Sequence, residues 1–118
     1  MKKGSIGMIS WKDRYTYVKD VQFNAHDLNC PGSKFQIVKF KPGVAIASHF
    51  HKKTHEIFYI RSGTGILKLA GHEFRCASDD FFLCEPGDVH EFLNDTPEDF
   101  IILIFKTNEV EDTDIYWC

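Results

Sequence analysis

Three histidines and one glutamate have the residue types of a metal site. His49 and His51 are separated by one residue, Glu56 follows five residues after His51, and His90 stands much further along the chain. On an extended chain, residues i and i+2 lie on the same face, so the imidazoles of His49 and His51 point the same way. Three imidazoles and a carboxylate that project into one interior would form a mixed nitrogen and oxygen site suited to Fe, Mn, Ni, Co, Zn or Cu, and the ligand types alone do not choose among these metals.

The segments that must position these residues have the pattern of short β-strands. They are rich in Phe, Ile, Val, Leu and Tyr, and turn residues such as Pro-Gly and Asn-Asp separate them. The predicted strands are residues 35–41, 55–61, 65–69, 72–76, 80–83, 90–93 and 100–106, with a weaker candidate at 6–11. No long window has helical periodicity, so helices are expected only near residues 12–17 and at the C-terminus. This pattern predicts an all-β sandwich or barrel.

The alternation of side chains along a strand predicts what surrounds the site. If Glu56 points inward, Phe58 and Ile60 also point inward, whereas His55 points to the opposite face. By the same argument Ile57 and Tyr59 face outward, and Phe92 and Asn94 share the face of His90. The aromatic residues expected in the interior are Phe40, Phe58, Phe82, Phe92 and Phe105.

Two stretches of the sequence resemble the two motifs of the cupin family. Gly43-x5-His49-x-His51-x4-Glu56-x6-Gly63 is similar to the first motif, and Pro86-Gly87-x2-His90-x3-Asn94 is similar to the second. The resemblance implies a double-stranded β-helix, the jelly-roll barrel of the cupins. It also implies one bound divalent transition metal (Fe, Mn, Ni, Zn, Co or Cu), whose ligands would be His49, His51, Glu56 and His90.

The resemblance to small single-domain cupins also bears on function. It implies a metalloenzyme of the dioxygenase, isomerase or lyase type, acting on a small oxygenated substrate such as a sugar derivative or a carboxylate. No catalytic residue beyond the metal ligands stands out in the sequence. The alternative is a non-catalytic cupin that senses a small ligand or a metal. A homodimer is expected, with segment 6–11 and the outward-facing Ile57 and Tyr59 as contacts.

Length and charge exclude several other classes of protein. A chain of 118 residues is one domain, expected to divide into an N-terminal arm and strands (1–34), the barrel (35–106) and a C-terminal tail (107–118). The net charge of −3 argues against nucleic acid as a partner. No apolar run approaches the roughly 20 residues of a membrane helix, and the N-terminus lacks a signal-peptide pattern. A cytoplasmic location is therefore expected.

Several polar residues have a structural interpretation as well as a functional one. The acidic cluster at the C-terminus (Glu109, Glu111, Asp112 and Asp114) is expected to be solvated. Asn94 is expected to cap a turn rather than touch a substrate. The four cysteines have no C-x-x-C spacing and are expected to be free thiols. Among them Cys84 either faces the cavity or packs in the core, with packing favoured.

Overall fold

Two five-stranded antiparallel sheets form the molecule in a computed structural model that describes residues 1–11 and 17–118. The strands are β1 Val18–Phe23, β2 Lys34–Phe40, β3 Ala45–Phe50, β4 His55–Ser62, β5 Ile66–Leu69, β6 His72–Arg75, β7 Phe81–Cys84, β8 His90–Leu93, β9 Phe100–Thr107 and β10 Tyr116–Trp117. The first sheet has the order β1-β2-β9-β4-β7 and the second has the order β10-β3-β8-β5-β6. This arrangement confirms the predicted all-β fold of the double-stranded β-helix type.

The two sheets do not join into one closed barrel. Within residues 1–11 and 17–118, every ladder pairs strands of the same sheet. The expected barrel is therefore a sandwich, with the inner faces of the sheets packed against each other. The alternating burial of β4 and β9 shows this directly, because every second residue of each strand is buried.

The seven principal predicted strands are confirmed with small shifts at their ends, but the predictions near the termini are wrong. Segment 6–11 contains a 3₁₀ helix, Ile6–Met8, instead of a strand. The C-terminus forms β10 instead of a helix, and the helix expected near 12–17 falls largely on residues outside the described part. Sequence reasoning also missed β1, β3 and the one-turn helix α1, Ala25–Leu28.

Helix α1 is only one turn long, and reciprocal hydrogen bonds cap its N-terminus. Its N-cap is Asn24, whose side chain accepts a hydrogen bond from the Asp27 amide, while Asp27 accepts one from the Asn24 amide. Asn29 ends the helix in the left-handed conformation. Among the helices of the described residues, none has the length and apolar character needed to cross a bilayer.

An aromatic core fills one end of the sandwich. The ring of Phe40 lies 5.5 Å from that of Phe92 and 5.7 Å from that of Phe100, and Phe58 meets Phe92 edge-on at 5.1 Å. Phe82 is half-buried and packs against this core. The prediction for Phe105 is wrong, because the inward positions of β9 are Phe100, Ile102, Ile104 and Lys106, which leaves Phe105 on the outer face.

Candidate metal centre

Three imidazoles meet between strands β3 and β8 of the second sheet. His49 and His90 face each other in the ladder, and their ring centroids are 4.1 Å apart. His51 follows directly after β3, with its ring 5.3 Å from both of the others. All three side chains are buried, and one ring nitrogen from each lies within 4.8 Å of the others. The sequence prediction that His90 joins the H-x-H pair in space is borne out by this geometry.

Backbone carbonyls fix the orientation of each ring. Nδ1 of His49 lies 2.8 Å from the carbonyl oxygen of Ala47, and Nδ1 of His90 lies 3.0 Å from that of Asp88. Nδ1 of His51 lies 2.6 Å from the carbonyl oxygen of Asp114. A carbonyl only accepts, so each Nδ1 carries the proton and donates it. Nε2 of each neutral ring is then left with a free lone pair, which is the tautomer that a metal ligand needs.

Glu56 reaches the imidazoles from β4 in the opposite sheet. Its Oε1 atom lies 2.6 Å from Nε2 of His51 and 3.4 Å from Nε2 of His90. The 2.6 Å contact lacks the angles of a hydrogen bond, so neither Oε1 of Glu56 nor Nε2 of His51 has a hydrogen-bond partner in the described part of the chain. A buried imidazole nitrogen and a buried carboxylate oxygen this close need a shared cation, either a proton, which Glu56 favours by raising the pKa of His51, or a metal ion. A cation placed between them would satisfy both, so the residues present fit a metal ion.

The protonation states of the cluster suit a metal. Burial lowers the pKa of His49 to about 4, and the neighbouring imidazoles add to this effect. Burial opposes ionisation of Glu56, but the close imidazoles of His51 and His90 and the charge of Lys106 outweigh it and lower the pKa of the carboxyl. At neutral pH His49 is therefore neutral and Glu56 is ionised, which are the forms that bind metals.

The C-terminal segment closes over the cluster. The carboxylate of Asp114 accepts hydrogen bonds from the amides of Lys52, Lys53 and Thr54, at 2.9–3.0 Å, and from the Thr54 hydroxyl at 2.9 Å. These bonds overcome the cost of burial and lower the pKa of Asp114 to about 2. Because the backbone carbonyl of the same residue holds His51, Asp114 links the end of the chain to a residue of the cluster.

The acidic cluster near the C-terminus therefore differs from the prediction of a solvated face. Glu111 and Asp112 are exposed, but Asp114 is buried and Glu109 pairs with two lysines. Beyond Asp114, β10 pairs with β3, and the Trp117 ring lies 4.9 Å from that of His49. No local sequence pattern could have shown this, because the contacts join residues about 60 positions apart.

A cavity lies between the sheets beside the cluster. Its walls are mostly apolar and include Val38, Phe58 and Ile104. The side chains of Lys19 of β1, Gln36 of β2 and Lys106 of β9 also line it, and sequence reasoning missed them. The signal for Lys106 was available, since it shares the strand parity of Ile102 and Ile104. The sequence prediction instead placed Phe105, on the other face of β9, in the interior.

The remaining residues that the sequence singled out lie outside the four-residue cluster. Asn94 organises a turn. His55 is half-buried on the opposite face of β4 from Glu56. Cys84 is buried, as the packing interpretation requires, yet its Sγ atom lies 3.4 Å from Nδ1 of His90. Burial and nearby carboxylates raise the pKa of this thiol, so it is protonated at neutral pH.

The sequence and the fold both have known relatives. Residues 36–106 match the family model described as "Cupin domain". No curated protein matches the sequence. A solved structure from Klebsiella pneumoniae, an uncharacterized conserved protein with a double-stranded beta-helix domain, aligns with a TM-score of 0.82 at 19% identity and covers 100% of this chain and 97% of its own.

Two further solved structures share the fold at similar identity. A predicted oxalate decarboxylase from Thermotoga maritima aligns with a TM-score of 0.73 at 21% identity, over 78% of this chain and 80% of that one. KdgF from a Halomonas species aligns with a TM-score of 0.71 at 20% identity, over 87% of this chain and 92% of that one. These identities establish a common fold and leave the activity to be argued from the site.

Proposed function

Because the chain belongs to the cupin family, we propose that its three clustered imidazoles and the carboxylate opposite them hold one divalent transition metal ion. These ligands are His49, His51, Glu56 and His90. We further propose that the protein is a metalloenzyme acting on a small oxygenated substrate. The observation that carries the proposal is the convergence of Nε2 of His51 and Oε1 of Glu56, both buried and both without a hydrogen-bond partner in the described residues.

The chain's own residues prepare this site for binding. Carbonyl acceptors hold the imidazoles in one tautomer before an ion arrives, so little reorganisation is required on binding. A bound divalent metal would supply Lewis-acid chemistry, polarising an oxygen atom of the substrate. Phe58 and Ile104 form apolar walls of the cavity. These walls exclude water from the part that they line, which strengthens each electrostatic contact inside the cavity.

The size of the cavity supports a small substrate. Its volume is about 70 Å³, and one water takes up roughly 10–15 Å³ of such a volume, so the cavity admits roughly five water-sized groups without rearrangement. A short carboxylate fits this volume, and a sugar derivative would place only one end inside. The relative named as a predicted oxalate decarboxylase is in keeping with a short carboxylate.

The metal content of matched variants tests the proposal. Protein purified without a histidine tag or chelator is expected to carry close to one equivalent of a transition metal, measured by inductively coupled plasma mass spectrometry. His51→Ala should lose most of this metal while keeping the fold. His55→Ala is the matched control and should keep its metal. It removes a histidine from the face of β4 that points away from Glu56. Equal metal content in both variants would contradict the proposal.

Turnover separates the metalloenzyme from the sensor alternative. The metal found would select the assays: oxygen consumption with small acids for iron, and isomerase or lyase substrates for nickel, manganese or zinc. A product formed by the wild type and not by His51→Ala would support the enzyme. Metal and ligand binding without any turnover would favour the non-catalytic sensor.

We also propose a homodimer, formed through the outer face of the first sheet. Ile57 pairs in the ladders with Leu83 and Phe105, and all three are exposed on this face beside the largely exposed Phe81. A contiguous exposed apolar surface of this kind is typical of a subunit contact. Analytical ultracentrifugation should give a dimer, and Ile57→Lys should give a monomer. A monomer mass for the wild type at every concentration would contradict this assembly.

A further inference from the structure

We propose that Lys19, Gln36 and Lys106 form a subsite that selects a small hydroxycarboxylate as the ligand of the cavity. The two lysines would bind its carboxylate, and Gln36 would accept a hydrogen bond from its hydroxyl group. This inference rests on the proposed function for the location of the ligand beside the metal. The subsite itself is argued only from contacts within the chain, without the metal.

The three residues come from adjacent strands of the first sheet. Lys19 lies on β1, Gln36 on β2 and Lys106 on β9, and these strands are neighbours in the sheet. Lys106 is buried, whereas Lys19 is exposed at the edge of the sheet and lines the cavity at its mouth. The three side chains therefore form a polar stripe from the mouth of the cavity towards the interior.

The charges around this stripe do not balance. Nζ of Lys106 lies 2.9 Å from a carboxylate oxygen of Glu109 and 4.0 Å from Oε2 of Glu56, and Lys34 pairs with Glu109 at 2.6 Å. With Lys19, three ammonium groups face two carboxylates, which leaves one net positive charge before any metal is bound. A divalent ion raises the excess to three. A low-dielectric cavity with that excess favours an anionic ligand.

The environment of Lys19 shows the same imbalance. Although much of the Lys19 side chain is exposed, partial burial beside the cavity lowers its pKa, and the charges of Lys106 and Lys34 lower it further. Within the described residues, no carboxylate forms an ion pair with Lys19. A carboxylate ligand between Lys19 and Lys106 would relieve this repulsion and supply the missing partner.

Gln36 requires a group of different chemistry. Its Oε1 atom is buried and has no hydrogen-bond partner in the described part of the chain. A buried amide oxygen without a donor is unfavourable. Val38 and Ile104 are apolar neighbours that supply no donor, and a ligand bound in the cavity would supply one. A carboxylate alone only accepts, whereas a hydroxyl group next to it can donate.

The small volume of the cavity restricts the ligand to a short one. Because Lys106 lies 4.0 Å from Oε2 of Glu56, an anion on Lys106 is already beside the proposed metal ligands. Glycolate has five non-hydrogen atoms, in keeping with a cavity of about 70 Å³. It is therefore the probe of choice, and acetate is the matched probe without the hydroxyl group.

Calorimetric titration with glycolate and acetate tests the subsite, using full-length protein in zinc-loaded and metal-free forms. Wild type should bind glycolate more tightly than acetate. Lys19→Met and Lys106→Met should each weaken glycolate binding about tenfold or more, and Lys106→Arg should restore most of the affinity. Gln36→Leu should remove the preference for glycolate over acetate. Lys68→Met is the control, because Lys68 is an exposed lysine of the second sheet outside this cavity, and it should have no effect.

The outcomes separate the two proposals because the metal content of each protein is measured alongside. Lys19→Met is the decisive variant, since Lys19 forms no ion pair with a proposed metal ligand in the described structure. Full metal content with unchanged glycolate affinity in Lys19→Met would overturn the subsite and leave the proposed function standing. A wild type that takes up no metal but loses glycolate affinity on Lys19→Met would overturn the proposed function and support the subsite. A wild type that binds glycolate in neither form would overturn the subsite.

Discussion

Strand β8 has a buried polar side chain at each end, and the two ends are bonded very differently. Just after the strand, Asn94 donates to the carbonyls of Phe40 and Glu98, at 2.9 and 2.7 Å, and accepts from the amide and hydroxyl of Thr96. At the start of the strand, Nε2 of His90 faces Oε1 of Glu56, a buried oxygen with no hydrogen-bond partner in the described residues. The same strand therefore positions a fully bonded amide and an incompletely bonded cluster.

The difference separates polar groups that hold the fold from polar groups that await a ligand. A buried group that uses all of its bonding capacity within the chain has none left for a substrate or metal. Asn94 is such a group, so the turn interpretation made from the sequence agrees with its contacts. The unsatisfied atoms of His51, Glu56 and Gln36 all lie in one cavity. The unsatisfied hydrogen-bonding atoms therefore point to this cavity as the candidate site independently of any motif.

The largest effect is expected from removing the bonded amide. Asn94→Ala should lower the free energy of unfolding by about 2–4 kcal/mol, because it removes a fully buried side chain together with its hydrogen bonds to the Phe40 carbonyl and the Thr96 amide. Urea denaturation measures this loss. Metal bound per folded protein should stay at the wild-type level, since Asn94 lies at the far end of β8 from His90. A variant as stable as wild type would break the comparison.

A smaller effect is expected from Asp114, which is fully bonded and also holds a residue of the cluster. Asp114→Ala should weaken metal binding by about tenfold or more, because the segment that positions the carbonyl partner of His51 loses its four hydrogen bonds. Competition with a chromophoric chelator measures the affinity. Asp112→Ala, an exposed acidic residue of the same segment, is the control. Equal affinities in the two variants would show that His51 needs no such support.

Thr96→Val tests how much one hydrogen bond to Asn94 contributes to stability at this end of β8. It removes the hydroxyl that lies 2.8 Å from Oδ1 of Asn94 but keeps the backbone amide that also bonds this atom. The free energy of unfolding should fall by about 1 kcal/mol, less than for Asn94→Ala. Urea denaturation of the two variants side by side gives the ratio. A loss as large as that of Asn94→Ala would mean that the hydroxyl organises the whole turn.

The smallest effect on metal binding is expected at Cys84. His90 Nδ1 is closer to the carbonyl of Asp88, at 3.0 Å, than to the Cys84 sulfur at 3.4 Å. Cys84→Ala should therefore change metal affinity less than twofold, and it should cost only about 1 kcal/mol of stability through the small void it leaves. Chelator competition and denaturation check both values. A large loss of metal would assign the thiol to the site.

Sequence reasoning recovered the parts of the molecule that depend on local pattern. The alternation in β4 placed Glu56, Phe58 and Ile60 on one buried face, and the motif spacing brought His90 to the H-x-H pair. Strand β3 was missed because Ala45-Ile46-Ala47-Ser48 lacks the dense β-branched and aromatic residues of the other strands. Strand prediction from composition therefore failed at the strand that positions His49.

The rest of the site depends on contacts that no local pattern reports. The carbonyl of Asp114 reaches His51 across 63 positions of sequence, and Lys106 reaches Glu56 across 50. Such pairings follow from strand order and register, which are set when the two sheets pack. Lys19 and Gln36 are in the cavity because β1 and β2 continue the sheet beyond β9.

The hydrogen bonds between Asp114 and residues 51–54 form late in synthesis, because Asp114 is added after all four residues of the cluster. A ribosome adds residues from the N-terminus, at roughly 5–20 residues per second. His49, His51, Glu56 and His90 all leave the ribosome before residue 114, so a nascent chain carries the four side chains while His51 lacks its carbonyl acceptor. The support of His51 is therefore complete only after residue 114 has left the ribosome, later than the four proposed ligands themselves.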